Sequence, residues 1–306
     1  MSERVVAVVV TYERLELLRD SLAAVTGQTR RPDAVVVVDN ASGDGTAEAV
    51  AAEHPEVELV RLSRNTGGAG GFTVGLERAL ALGADVVWLM DDDTVPSPAA
   101  LEALLATRSA GPAQPALVAS RVVWEDGRDH PMNTPRPYPL TGLAQRRAAA
   151  AAGCVPVRSA SFVSVLVDAA AVRAVGLPLA DYFLWNDDFE FTTRLLRGRR
   201  GLWCPASVVV HRTKKFGSTD ADPGPRFYFE VRNKVWLFTR SSGLNPLERL
   251  LYLLSTLLRW GRTVRGSSDR LQLVRAAVRG GRDALRAGPR PNDVVLAAAL
   301  AEERAS

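Results

Sequence analysis

Three carboxylates in a row, Asp91, Asp92 and Asp93, close the apolar run Val86-Val87-Trp88-Leu89-Met90. The run reads as a strand buried on both faces, as in a parallel sheet. Adjacent carboxylates repel, so the triplet calls for something positive among them; the plain alternative is a solvated acidic turn. Carboxylate oxygens favour hard cations such as Mg2+ or Mn2+, which in turn bridge phosphates. Alternation along an extended end turns Asp91 and Asp93 the same way and leaves Asp92 facing a sugar or ribose. His211 closes another strand pattern and offers an imidazole as a third metal ligand, or is a structural residue.

A second acidic group, Asp187, Asp188 and Glu190, lies among Trp185, Phe189 and Phe191. Partial burial raises a carboxyl's pKa and suits it to general-base work. Acids in a helix's first turn are also favoured by the dipole, so capping is the competing reading. Glu190 and Arg194 are spaced to pair on a helix. That leaves Asp188 as the preferred base, with Asp187 beside it and the choice between them open.

The elements that must carry these groups alternate. Strand patterns at Val5–Val10, Val35–Val38, Val57–Leu62 and Val86 onward are separated by helical patterns at Leu15–Val25, Ala47–Ala52 and Phe72–Leu82. Such spacing gives βαβ units and a parallel sheet. The strand-end loops meet on one edge, where open α/β sheets bind ligands. They carry Thr11 and Tyr12, then Asp39 and Asn40, then Arg64-Asn65-Thr66-Gly67-Gly68-Ala69-Gly70-Gly71, then the three aspartates. That edge suits a nucleotide: Asp39 can accept from a base or ribose, and a glycine loop lets backbone approach a ligand. The loop lacks the Rossmann spacing after the first strand, which argues against a dinucleotide enzyme. Further on, Ser97-Pro98 reads as a helix N-cap and first turn. Residues 126–152 show little periodicity and read as a long mobile excursion. Gly201–Cys204 and Ser207–Val210 read as two short strands, and Phe227–Phe238 and Leu247–Trp260 as helices.

With 306 residues, 47% hydrophobic and 24% charged, the chain is globular, and its net charge is only +4. Arginine is concentrated after Gly198, which suggests an anionic ligand or surface. Cys154 and Cys204 have no metal-ligand spacing and fit free thiols of a reducing compartment. Met1-Ser2-Glu3-Arg4 leads straight into a strand pattern, so no signal peptide is expected, and no apolar run reaches membrane-spanning length.

Together these residues resemble the family 2 glycosyltransferases of the GT-A fold, over roughly Val5 to Phe238. The likeness rests on Val-Thr-Tyr after the first strand, Val-Asp-Asn-Ala-Ser-x-Asp-Gly-Thr, the Asn-x-Gly-Gly loop, the Asp-x-Asp element and the later acidic pair. Asn65–Phe72 followed by Trp88–Asp93, with Trp185-Asn186-Asp187-Asp188-Phe189-Glu190, looks like the galactofuranosyltransferases of actinobacterial cell-wall synthesis. Rhamnosyltransferases acting on lipid-linked sugars are similar too, including a Tyr-x-x-x-Arg-Asn element at Tyr228–Asn233.

The resemblance implies an α/β, Rossmann-like, mostly parallel sheet flanked by helices, with a catalytic domain over 1–240 and a helical, Arg-rich extension over 241–306. It implies an inverting transfer of a sugar, galactofuranose from its UDP form or rhamnose from its dTDP form, to a polyprenyl-diphosphate-linked glycan. Asp91, Asp93 and His211 would hold Mn2+ or Mg2+, and Asp188 or Asp187 would act as base. Thr11, Tyr12, Arg14, Asp39, Asn40, Arg64, Asn65, Gly67, Gly68, Asp91, Asp92 and Trp185 would bind the nucleotide sugar. Lys214, Arg226 and Arg232 would hold phosphates or acceptor. The leucine-rich segment 247–258 is expected to meet a membrane surface or another subunit, placing the protein at the inner face of the plasma membrane; no nucleic-acid partner is expected. Competing readings are a nucleotidyltransferase, which should carry a basic glycine loop where Thr11-Tyr12-Glu13-Arg14 stands, and a non-catalytic nucleotide-binding module, which should lack the complete acidic set.

Overall fold

The computed structural model of the protein describes residues 3–110, 114–138, 141–213, 216 and 222–301. Its first half follows the alternation in the sequence: β1 (Val5–Thr11), α1 (Leu15–Thr26), β2 (Ala34–Asp39), α2 (Thr46–Glu53), β3 (Glu58–Arg61), α3 (Gly67–Ala81) and β4 (Val86–Asp91). β3, β2, β1 and β4 pair in parallel in that order. Each strand of this group is short, β-branched and apolar, so both its faces must be covered. In β1, Val6, Val8 and Val10 join the core under α3 with Phe72 and Leu76. Val5, Ala7 and Val9 join the opposite core with Leu18 and Leu22 of α1. Gly71 and Gly75 let α3 approach: a Cβ at either would collide with Val10 or Val8.

The second half is mixed. It contains β5 (Thr94–Pro96), α4 (Ala100–Ser109), β6 (Leu117–Val123), β7 (Arg136–Pro137), α5 (Leu143–Ala151), β8 (Val155–Ser159), β9 (Ser164–Asp168), α6 (Ala169–Val175), α7 (Asp187–Leu195) and β10 (Gly201–His211). β9 enters antiparallel between β4 and β6, and β10 runs parallel to β6. The ten described strands make one sheet, ordered β3-β2-β1-β4-β9-β6-β10-β8-β7, with β5 paired to β10.

Several expectations are corrected. α4 starts at Ala100 with Ala99 as its N-cap, and Ser97 contributes only its carbonyl to Ala100. α3 starts at Gly67, so the glycine loop is the helix's first turn. β10 is one strand with a register break between Cys204 and Val208, where Pro205 cannot donate to the ladder. The 126–152 excursion holds β7 and α5, and its early part packs beneath His211. Both cysteines are free and buried.

The chain ends in α8 (Phe227–Thr239), α9 (Pro246–Gly266), α10 (Arg270–Arg286) and α11 (Asn292–Leu296). An Asn245–Glu248 capping box starts α9. α11 returns to the first half: Val295 and Leu296 join the core beneath α3, and Ser63 N–H donates to Ala299 O at 3.0 Å. No helix among the described residues is long and apolar enough to cross a membrane.

Candidate active site

β5 assembles the acidic triplet. After Asp91 ends β4, the chain turns at Asp92-Asp93 and runs antiparallel to β10, with Thr94 opposite His211. Asp93 therefore arrives beside His211. Ligand atoms of Asp91, Asp93 and His211 all lie within 4.8 Å of one another. His211 Nδ1 lies 2.9 Å from Asn133 Oδ1, which fixes the N–H there and turns Nε2 to the cluster. Nε2 is 3.0 Å from Asp93 Oδ1, so a protonated His211 pairs with that carboxylate. Once deprotonated, a carboxylate–carboxylate–imidazole set suits Mn2+ or Mg2+. Asn133 orients the histidine from behind, as outer partners of metal ligands do.

The positive partner that the triplet calls for is Arg14. Its Nη1 reaches Asp92 Oδ1 at 3.1 Å and Asp93 Oδ2 at 2.8 Å. Burial first, then the negative charge of Asp93, pushes Asp91 up to about 7. Burial likewise pushes Asp92 up to about 6 against the pull of Arg14. Burial acts the same way on Asp93, but His211 and Arg14 outweigh it and hold that carboxyl below its usual range. His211 is raised in turn: Asp93 overcomes the burial that opposes its charge.

Asp92 is 3% exposed and accepts from Thr11 Oγ1 at 2.9 Å and from Tyr12 N–H at 3.3 Å. It ties the β1 loop to the triplet. Tyr12's side chain stays exposed beside it. Thr11 pairs with Asp39 across β1 and β2. Asp39 is fully buried, accepts Ser42 N–H through Oδ1 at 3.0 Å, and leaves Oδ2 without a donor. Asn40 is engaged within the fold, donating to Gly67 O at 2.8 Å and accepting Thr66 N–H at 2.7 Å. Asn65 Oδ1 accepts Gly67 N–H at 2.7 Å. A Cβ at Gly68 would meet nothing within 4 Å, so the start of α3 is open. Arg64 donates to Val295 O at 2.6 Å and serves α11.

The second acidic group opens α7. Phe183, Trp185 and Asn186 before it all have positive φ, near 61–65°, a costly backbone for non-glycine residues. Asn233 holds it there, donating to the carbonyls of Tyr182, Leu184 and Trp185 at 2.8–2.9 Å. Gly67 packs against Phe183 O, where a Cβ would not fit. Arg232, expected to hold phosphate, instead donates to Asp181 O at 2.6 Å and Tyr182 O at 3.0 Å. Arg226 stands over the Trp185 ring at 5.5 Å, and Lys214 lies outside the described residues.

Asp187 is raised well above the usual carboxylate range, chiefly by burial and then by Asp188, with a contribution from Asp91. Asp188 is raised by burial, against its hydrogen bond from Phe189 N–H and the charges of Lys234 and Arg136. Glu190 is occupied as its spacing suggested: Arg194 donates to it at 2.9 and 3.0 Å, and Ser241 at 2.8 Å. The acid pair thus feels the charge of Asp91 on Asp187 and of Lys234 and Arg136 on Asp188.

Sequence reasoning missed Asn133, which carries no motif and lies 78 residues from His211. It found Asn233 inside the Tyr-x-x-x-Arg-Asn element without its task.

Residues 6–167 match the family model described as Glycosyl transferase family 2. The chain belongs to that family. It is 38% identical to a galactofuranosyltransferase of Mycobacterium tuberculosis over 271 residues, 81% of this chain and 86% of the relative. A galactofuranosyltransferase of Mycolicibacterium smegmatis is 36% identical over 210 residues, 64% of this chain and just under two thirds, 66%, of the relative. An N-acetylglucosaminyl-diphospho-decaprenol L-rhamnosyltransferase of M. tuberculosis is 27% identical, with 79% and 87% covered. Among solved structures, S. aureus TarS superposes with a TM-score of 0.62 at 16% identity, covering 98% of this chain and 85% of that one. A Pyrobaculum calidifontis mannosyltransferase in complex with GDP-Man and Mn2+ gives 0.56 at 21% identity, covering 99% and 81%. The sheet is therefore that of the GT-A glycosyltransferases, and the protein is a glycosyltransferase.

Proposed function

We propose that the protein is an inverting, metal-dependent transferase that moves galactofuranose from UDP-galactofuranose to a lipid-linked, diphosphate-bearing cell-envelope glycan. The carrying observation is the Asp91, Asp93 and His211 cluster, whose ligand atoms lie within 4.8 Å of one another, in a chain that also carries the acid pair Asp187–Asp188 at the start of α7. The relatives' names favour galactofuranose over rhamnose, at 38% against 27% identity. A rhamnosyl donor is the second reading.

In this reading Tyr12 and Asp39 Oδ2, which has no hydrogen-bond donor and only the Arg61 guanidinium at 4.0 Å, bind the nucleoside, and the open start of α3 faces the diphosphate. Asp91, Asp93 and His211 would hold a divalent cation, which would supply positive charge for the leaving diphosphate. Asp188, the more exposed of the pair, takes the proton from the acceptor hydroxyl. That oxygen attacks the anomeric carbon from the face opposite the diphosphate, and the bond to the diphosphate breaks with inversion. Asp187 stays beside it, its own proton affinity raised by burial and by Asp188.

Six leucines of α9 (Leu247, Leu250, Leu251, Leu254, Leu257 and Leu258) are each at least half exposed. Arg262 and Arg265 follow on the same helix, and we assign this face to an anionic membrane surface. Within 241–306 this role belongs to α9, since α11 packs into the core beneath α3.

A donor screen by thermal shift with Mn2+, followed by transfer to a polyprenyl-diphosphate disaccharide, tests the reading. UDP-galactofuranose should both stabilise the protein and be consumed; consumption of dTDP-rhamnose instead selects the second reading. Asp188→Asn should lower transfer about 10²–10⁴-fold with donor binding kept. Loss of donor binding would instead remove Asp188 from the base role.

A further inference from the structure

Lys234 is a buried cation that the reaction above does not use. It is 4% exposed, and its ammonium lies 4.4 Å from the centre of the Phe189 ring. Among the described residues it has no hydrogen-bond acceptor and no ion pair within 4 Å. Its neighbour Glu230 acts on it through charge alone, because Asn186 at 2.7 Å, Arg259 at 2.6 Å and Trp260 at 3.1 Å take that carboxylate's hydrogen bonds. Burying an ammonium without a partner is costly, so its retention points to an anion that arrives from outside.

A second cation converges on the same ring. The Arg136 guanidinium stands 5.5 Å from Phe189 and 5.6 Å from Tyr252. It is exposed and has no carboxylate partner among the described residues. Phe189 directly follows Asp188, so both cations sit beside the proposed base and away from the triplet. Two cations of different kinds, one fixed by burial and one laid on aromatic rings, make a cradle for a multiply charged phosphate group.

We propose that Lys234 and Arg136 form the subsite for the acceptor's diphosphate, holding it beside Asp188 while the donor's diphosphate occupies the other side; the inference rests on the lipid-diphosphate acceptor proposed above. The subsite sets acceptor specificity, since a glycan on an uncharged carrier leaves both cations unpaired. Burial lowers Lys234 to about 8, and a bound phosphate would reverse that shift.

Calorimetry on the full chain in EDTA tests the subsite without any transfer. Farnesyl diphosphate and UDP are titrated into the wild type and into Lys234→Met, Arg136→Gln and Asp93→Asn. Farnesyl diphosphate should bind the wild type and Asp93→Asn alike and weaken about tenfold or more in each cation variant, while UDP binding stays unchanged. Should Lys234→Met fail to fold, Arg136→Gln decides alone. The proposal is overturned if farnesyl diphosphate does not bind the wild type, if neither cation variant weakens it, or if UDP binding falls with it. Absence of sugar transfer from every donor would defeat the function reading but leave this result standing.

Discussion

At the residue scale, the acidic triplet is a charge problem solved in three ways. Arg14 pairs with Asp92 and Asp93, His211 leans on Asp93, and Asp91 and Asp92 keep raised proton affinities. The sign follows from linkage. Between the ordinary aspartate value of 3.8 and about 7, the folded chain holds protons that the unfolded chain releases. Stability of the metal-free protein should therefore fall as pH rises through that window. The raised His211 adds to the loss, because its contribution disappears above its folded value. Asp93, depressed, acts only at lower pH. Metal ligands must be deprotonated, so Mn2+ should raise Tm more at about pH 8 than at about pH 5.5. Equal gains, measured by scanning calorimetry, would argue against the cluster as the binding site. Asn133→Ala should weaken Mn2+ binding by about 10–100-fold, since His211 loses the partner that turns its ring.

At the element scale, two pieces invisible to periodicity place the chemistry. β5 is only three residues long, and its pairing with β10 sets Asp93 against His211. Three residues are too few to show a strand's alternation. The strained segment before α7 is the other piece, and its shape depends on Asn233, forty-odd residues later on α8. Asn233→Ala removes three hydrogen bonds from buried carbonyls, a loss on the order of 3 kcal/mol. Release of Phe183, Trp185 and Asn186 to ordinary φ would swing Asp188 away. We expect kcat to fall by more than tenfold with donor affinity nearly unchanged, because the loops proposed for the donor lie on β1, β2 and β4. A variant that loses donor binding and kcat in parallel would mean the segment belongs to the donor site.

At the scale of the whole molecule, α9 connects the acid pair to the surface. Its inner side packs Tyr252 and Leu253 against Phe189, while its outer side exposes the leucines. A lipid-borne acceptor held against that outer side would present its glycan near Asp188. The triple change Leu250→Ser, Leu254→Ser, Leu258→Ser should abolish sedimentation with anionic vesicles and leave transfer to a short-chain, water-soluble acceptor within about twofold, since these side chains touch no core. Retained vesicle binding would move the membrane contact elsewhere. The sequence by itself determined the βαβ alternation, the strand-end loops and the identity of the acids and of His211, because buried strands and charged turns are local patterns that one stretch of chain displays whole. Only the tertiary structure decided that Asp92 and Asn40 are hydrogen-bonded within the fold, that Arg232 and Asn233 brace a strained turn, that Asn133 stands behind His211, and that Lys234 and Arg136 meet over Phe189. Those are contacts between residues tens of positions apart, and their partners are chosen by packing, which no single segment encodes.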